Sequence, residues 1–324
     1  MNRDEFLNDP DVIGFVRWAA GTLPNIQVNL NITRHGTGNA DGALGPGVTG
    51  VFEGLDQIVN AYHWRAVWNN AAGDMMVSDD WYSSRGALNE MRAWIQEELN
   101  QASHEGVLSA ATAIIEWGGD RSHRRNPPAG ALPFLEALQD LPEYLICARE
   151  TLRLDVADTN NLHQVLEMNS MLTKVHSLVA NDGLPIYDSR VAASIGALVE
   201  LYRQAVAQHR PCPRIPETLR FRSVDRNNRR RVLGLANNYQ QNNVVDPGVI
   251  GRGRGQQQIL NRANEWASAK IRLGWLLNAI LSESDSRNQP IFNEGTPFND
   301  SVPAKMHALE AGLFMIGYDV SCLQ

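Results

Sequence analysis

Residues 168–203 read MNSMLTKVHSLVANDGLPIYDSRVAASIGALVELYR, and the assignment of this stretch decides the fold. Lys174 opens an apolar-periodic segment carried by Val175, Leu178 and Val179. Asn181-Asp182-Gly183 breaks that segment, and Pro185 forces extended backbone. Asp188 then starts a second periodic segment through Val191, Ile195, Leu198 and Val199, with a side chain suited to capping it. The spacing predicts a helix, a tight connector and a capped helix, with a lysine on the first helix and an aspartate at the start of the second. His176 points away from the face of Lys174 and reads as a packing or surface residue.

Working outward, residues 105–118 form an apolar helix stopped by Gly118-Gly119. Residues 134–138 and 141–152 read as further short helices, and Asn160 or Asn161 is placed to cap one leading into Met168. On the other side, residues 258–281 carry Leu260, Ala263, Trp266, Ile271, Trp275, Leu276 and Ile280 at helical spacing, a long buried helix. Pro303 precedes one more helix that packs back on the body. Towards the N-terminus, residues 4–21 read as a short helix capped by Asp9 or Asp11. Ile26, Val28, Leu30 and Ile32 alternate with polar neighbours, the period of a half-buried strand. From Val51 the pattern turns helical, with Tyr62, Trp64, Val67 and Trp68 continuing a segment begun by Leu55, Ile58 and Val59. A loop follows over 73–80, then a helix over 83–100. Trp64, Trp68 and Trp94 read as core.

The chain has 324 residues, 43% of them hydrophobic, enough for a substantial core, and a net charge of −7. That charge argues against indiscriminate coating of nucleic acid. Its distribution is uneven. Arg121, Arg124 and Arg125 cluster in a Pro-ended loop, and seven arginines fall between Arg214 and Arg231, both arrangements suited to phosphate contacts or to solvated faces. Cys147, Cys212 and Cys322 form no CxxC pair, so neither a disulfide framework nor a cysteine-built zinc site is expected. No apolar run reaches bilayer length and the acidic N-terminus is unlike a signal peptide, so the chain reads as soluble and cytoplasmic with no membrane partner. No cofactor is implied. The GRGRG run at 251–255 lacks the strand and spacing of a phosphate-binding fingerprint.

Lys174 at a helix start, followed by Pro185-Ile186 and then Asp188-Ser189-Arg190-Val191 at the next, resembles the helix-hairpin-helix DNA glycosylases, and among them the 8-oxoguanine glycosylase-like branch. The resemblance covers roughly residues 168–203. It implies a mainly α, two-lobed helical fold with a minor β element near the N-terminus, divided as a helical region with a short strand over 1–104, a glycosylase-like core over 105–285 and a C-terminal helix within 286–324. It further implies cleavage of an N-glycosidic bond to a modified purine, with associated lyase chemistry, with Lys174 as nucleophile and Asp188 as its electrostatic or acid–base partner. The partner it implies is DNA, with RNA or a free nucleobase or nucleotide as alternatives, gripped by Arg121, Arg124, Arg125, Arg190, Arg222, Arg229 and Arg230. Glycosylase-like proteins of this kind also resemble components of prokaryotic antiviral operons. The family's hairpin carries two glycines before its lysine and MNSMLTK carries none, so the arginines must supply the grip on a polymer. A catalytically inert binding module of the same fold is the alternative.

Arg34-His35-Gly36, at the end of the predicted strand, resembles the entry to the histidine phosphatase superfamily, in which the histidine takes the phosphoryl group. The repeated strand–helix units of that architecture do not follow. The same residues read as a polar loop made flexible by Gly36, Gly38, Gly42, Gly45 and Gly47.

Overall fold

The computed structural model describes residues 1–33, 47–126, 128–208, 214–235, 243–251, 253, 255–292, 298 and 301–323. Arg34-His35-Gly36 and Cys212 lie outside the described residues. The described chain is mostly helical, with two separate antiparallel strand pairs. Helices α1 (Arg3–Leu7) and α2 (Pro10–Thr22) are separated by Asp9, whose carboxylate accepts the amides of Asp11 and Val12 at 2.8 and 3.3 Å and so caps α2. Strand β1 (Gln27–Ile32) buries Val28, Leu30 and Ile32 and exposes the residues between them, as the alternation requires. It pairs with β2 (Val48–Glu53), and α3 (Gly54–Asn60) follows.

The helical reading of 62–69 and the loop reading of 73–80 are both corrected. His63–Asn69 is β3 and Met75–Asp80 is β4, an antiparallel hairpin. Trp64, Ala66 and Trp68 are buried on alternate positions, a period of two. The turn between the strands is closed by Asn70, whose Oδ1 accepts the amides of Ala72 and Asp74, and by Gly73 at φ +86°. Helices α4 (Trp81–Asn100), α5 (His104–Trp117), α6 (Leu132–Glu136) and α7 (Leu141–Leu152) then follow.

Residues 153–171 form turns and irregular backbone with an isolated bridge from Asp158 to Asn2, not the helix expected to lead into Met168. This stretch is held by long-range bonds instead: Trp275 Nε1 donates to Leu154 O at 2.7 Å and Asp182 accepts the Leu154 amide. Helix α8 (Leu172–Val179) is therefore preceded by an irregular segment, not by a helix and a tight hairpin. Its C-terminal break is as the sequence predicts: Gly183 takes φ +83° and lies so close to Met306 that a Cβ there would sit 3.0 Å from its Sδ. Helix α9 (Ser189–Ala207) is capped by Asp188.

The long helix α10 (Gln256–Ser286) packs against α1, α2 and α11, and α11 (Val302–Ile316) packs against α3 and α9. One connected cluster of buried residues runs from Phe6 to Cys322, so segments 1–104, 105–285 and 286–324 share a core. A smaller cluster around Ala193, Ala197, Val232 and Val320 adjoins α9. Among the described residues no helix is long and apolar enough to cross a membrane.

Candidate active site

Asn169 opens α8. Its Oδ1 accepts the amides of Met171 and Leu172 at 2.9 and 3.0 Å, which places Lys174 in the first turn. The Lys174 stem passes over Gly118, the residue that ends α5, and its Nζ donates to Ser170 O at 2.9 Å. Asp188 divides its two oxygens. Oδ1 accepts the amides of Arg190 and Val191 at 2.9 and 3.1 Å as the N-cap of α9, leaving Oδ2 to face Lys174 Nζ at 3.6 Å and Arg190 Nη1 at 3.9 Å. The lysine and aspartate side chains are only 6% and 5% exposed.

Burial pushes the Lys174 amine below the ordinary lysine value; Asp188 opposes that fall and Arg190 adds to it. Burial pushes the Asp188 carboxyl up, but Lys174, Arg190 and the two capping amides together outweigh it and hold the group below the usual carboxylate range. The pair is thus an ionised carboxylate beside an amine that gives up its proton more readily than a surface lysine does.

Both side chains line one cavity of about 330 Å³, within the range of small-molecule sites. Its walls include Tyr62 and Trp64 from the N-terminal part, Trp81 and Trp117 from the ends of α4 and α5, and Phe314 from α11. The Arg190 guanidinium sits among three rings, 4.3 Å from the Tyr318 centroid, 4.8 Å from Phe314 and 5.1 Å from Trp64. Also in the lining, Arg92 Nη2 lies 3.1 Å from His307 Nε2. A guanidinium only donates, so His307 Nε2 accepts and its proton sits on Nδ1, which faces Glu310 Oε2 at 3.4 Å. The same Oε2 accepts the Ile186 amide at 2.9 Å. Glu310 Oε1 accepts no hydrogen bond from the described residues and is an open acceptor in the cavity wall.

Of the seven arginines expected to grip nucleic acid, only Arg190 lines this cavity. Arg121 donates to Val67 O at 3.0 Å and Arg124 pairs with Glu116. Arg125 is exposed. Arg222 pairs with Glu265, Arg229 with Asp319 at 3.7 Å and Arg230 with Asp225 at 3.6 Å. The basic run at 214–231 is therefore largely matched by carboxylates. His176 is buried, with its ring edge-on to Tyr144. Among the described residues no group of His, Cys, Asp or Glu is arranged to hold a metal ion.

Sequence reasoning missed Glu310, His307, Arg92, Trp81 and Trp117. Nothing local marks them, because the cavity joins elements distant in the chain. One signal was readable: of 29 basic residues only Lys174, Lys270 and Lys305 are lysines. Two of the three, Lys174 and Lys270, are buried, whereas Lys305 pairs with Asp285 at 3.0 Å. No family model, curated protein or solved structure matches the chain.

Proposed function

We propose that the protein cleaves the N-glycosidic bond of a modified purine of 8-oxoguanine type, with Lys174 as nucleophile and Asp188 as its carboxylate partner. The observation that carries this reading is the 3.6 Å approach of Lys174 Nζ to Asp188 Oδ2 at the wall of an aromatic cavity. Neutral Lys174 attacks C1′ as the C1′–N9 bond breaks, and the electron pair of that bond leaves with the base. The proton set free from the new ammonium passes by way of Asp188 to the departing base. In the remaining N,O-acetal the nitrogen lone pair expels O4′, which takes up the proton still carried by that nitrogen, and the resulting Schiff base is hydrolysed by water or consumed by a lyase step. While the sugar carries positive charge, the ionised Asp188 stabilises it in surroundings that exclude water.

The ring walls suit a flat aromatic ligand, which stacks on them whatever its sequence context. Glu310 Oε1 offers an acceptor for the side-by-side N–H donors on the Watson–Crick edge of a guanine-type base. A base within a duplex has to be flipped out to reach this depth. Nucleic acid is the proposed partner, with Arg190 at the cavity and the exposed Arg125 as contacts outside the carboxylate-paired run.

Borohydride trapping with an 8-oxoguanine oligonucleotide tests the reading. A covalent adduct is expected from the wild type and none from Lys174→Gln. No adduct from the wild type, with binding intact, favours the inert binding module.

A further inference from the structure

Lys270 lies on α10, is completely buried and does not line the cavity. Its Nζ meets four acceptors: Thr173 O at 2.9 Å, Thr173 Oγ1 at 3.2 Å, Ser177 Oγ at 2.6 Å and Pro185 O at 2.6 Å. Thr173 immediately precedes Lys174, and Pro185 belongs to the connector that ends at Asp188. Thr173 Oγ1 also accepts the amide of Tyr187, the residue before Asp188, at 3.0 Å. A single side chain from a third element is thus bonded to the backbone on both sides of the amine–carboxylate pair.

An apolar residue at this position leaves the Pro185 carbonyl without its partner in a dry interior, and a buried unsatisfied carbonyl is costly. Arginine has no compact head to fit among four acceptors. Burial pushes the Lys270 pKa down to about 7, while Glu310 on α11 and Asp182 in the connector oppose that fall and Lys174 on α8 adds to it. The position therefore keeps an ionisable group under a desolvation cost, in a chain with only three lysines.

We propose that Lys270 is a positioning residue for Lys174 and Asp188: its Nζ clamps the first turn of α8 to the connector and so sets the separation of amine and carboxylate. Its consequence for catalysis rests on the glycosylase reading above. Its consequence for geometry does not.

The test uses the full chain with Lys270→Met, which fills similar volume without donors, and Lys270→Gln, which keeps two N–H donors. Unfolding curves establish the folded fraction of each. For an 8-oxoguanine oligonucleotide, the equilibrium Kd is measured beside the single-turnover rate of borohydride adduct formation. Lys270→Met is expected to keep Kd and to lose about 100-fold in rate, the scale for misplacing a reacting group by an ångström. Lys270→Gln is expected to recover most of that loss. An unchanged rate in Lys270→Met overturns the proposal, as does a loss of rate and binding together in proportion to the unfolded fraction. If Lys270→Met does not fold, Lys270→Gln is compared with the wild type: a residual fall of a few-fold in rate at unchanged Kd is expected, and an unchanged rate, or a loss of binding with rate, overturns the clamp.

A second readout is independent of the reaction. The chain is produced with 13C-labelled lysine, and its three lysines give a sparse spectrum in which Lys174 can be titrated through Cε. Both variants remove the Lys270 charge, which by itself raises the Lys174 midpoint, so the clamp is read from the difference between them: in Lys270→Met the midpoint is expected to move further towards the ordinary lysine value of about 10.4 than in Lys270→Gln, as the loosened turn admits water. Equal midpoints in the two variants overturn the clamp. A wild type that forms no adduct, with a midpoint that moves further in Lys270→Met than in Lys270→Gln, refutes the glycosylase reading and supports the clamp.

Discussion

Gly118 leaves the space that the stem of Lys174 occupies: a Cβ built on Gly118 would lie 2.8 Å from Lys174 Cδ and 3.2 Å from Cε. The backbone of Gly118 is an ordinary right-handed helical one, φ −67°, so glycine is required here for room and not for conformation. Gly118→Ala should therefore displace the amine while leaving α5 intact. The expected result is a fall of about 10- to 100-fold in adduct rate, since small misplacements of a reacting group are costly, with only a minor fall in Tm. An unchanged rate shows that the stem relocates without moving Nζ.

Asp188 has two separable jobs, capping α9 through Oδ1 and facing Lys174 through Oδ2. Asparagine caps as well as aspartate does, so Asp188→Asn keeps the first and removes the charge needed for the second. The variant should stay folded yet lose adduct formation. The sign of its pH dependence follows from the Asp188 carboxylate, which opposes the burial-driven fall in the Lys174 pKa. Without that charge the Lys174 midpoint falls further, and the residual rate reaches its plateau at lower pH than in the wild type. Asp188→Ala removes the cap as well as the charge and leaves no polar atom facing the buried cations, which should destabilise by about 3–5 kcal/mol. Denaturant midpoints and pH–rate profiles of both variants check this.

The residues around Asp188 were legible because the signals are local: a Gly-containing break, a proline and a capping side chain fall within one turn of each other. Helix α10 was legible for a different reason, its long apolar stripe. The β3–β4 hairpin was misread because Trp64, Val67 and Trp68 fit a helical stripe as well as a strand over so short a run, and only burial of Trp64, Ala66 and Trp68 on one face resolves the period. The irregular path of 153–171 depends on Trp275 and Asp182, which no local pattern connects to Leu154. The cavity was partly legible. Lys174 and Asp188 lie near each other in the chain, whereas the rings around Arg190 come from β3 and from in and just beyond α11, and Glu310 meets Ile186 only through tertiary packing.

His176 predicts how acid unfolds the protein. It is buried on α8, neither ring nitrogen has a hydrogen-bond partner among the described residues, and burial, helped by Lys270, pushes its pKa to about 3. The folded state holds it neutral, whereas the unfolded chain protonates it near pH 6.5. Its contribution is therefore fully present above pH 6.5 and is lost as pH falls towards 3, at up to about 1.4 kcal/mol per pH step. His176→Leu should flatten that part of the stability profile. It should also raise stability at neutral pH by about 1 kcal/mol, because an unpaired buried N–H is removed. Urea midpoints at several pH values between 3 and 7 report both effects, and parallel profiles for the two proteins would exclude this role.

Glu310 gives the sharpest test of what the cavity reads. Its Oε2 is fixed by the Ile186 amide, and its Oε1 is the open acceptor. In Glu310→Gln the amide oxygen is the only group able to satisfy that N–H, so it takes the place of Oε2 and the NH2 turns into the cavity. The variant thus exchanges an acceptor for a donor without a change in shape. A guanine-type edge presents N–H donors and loses its partner, whereas the N1 of an adenine-type edge becomes a good acceptor for the new NH2. Binding of 8-oxo-2′-deoxyguanosine and 8-oxo-2′-deoxyadenosine, followed by quenching of the tryptophans in the wall, should show a preference for the first in the wild type. That preference should be lost or reversed in the variant, a change of about 1–3 kcal/mol in discrimination, the scale of one buried polar mismatch. An unaltered preference means that the edge of the base is read elsewhere in the cavity.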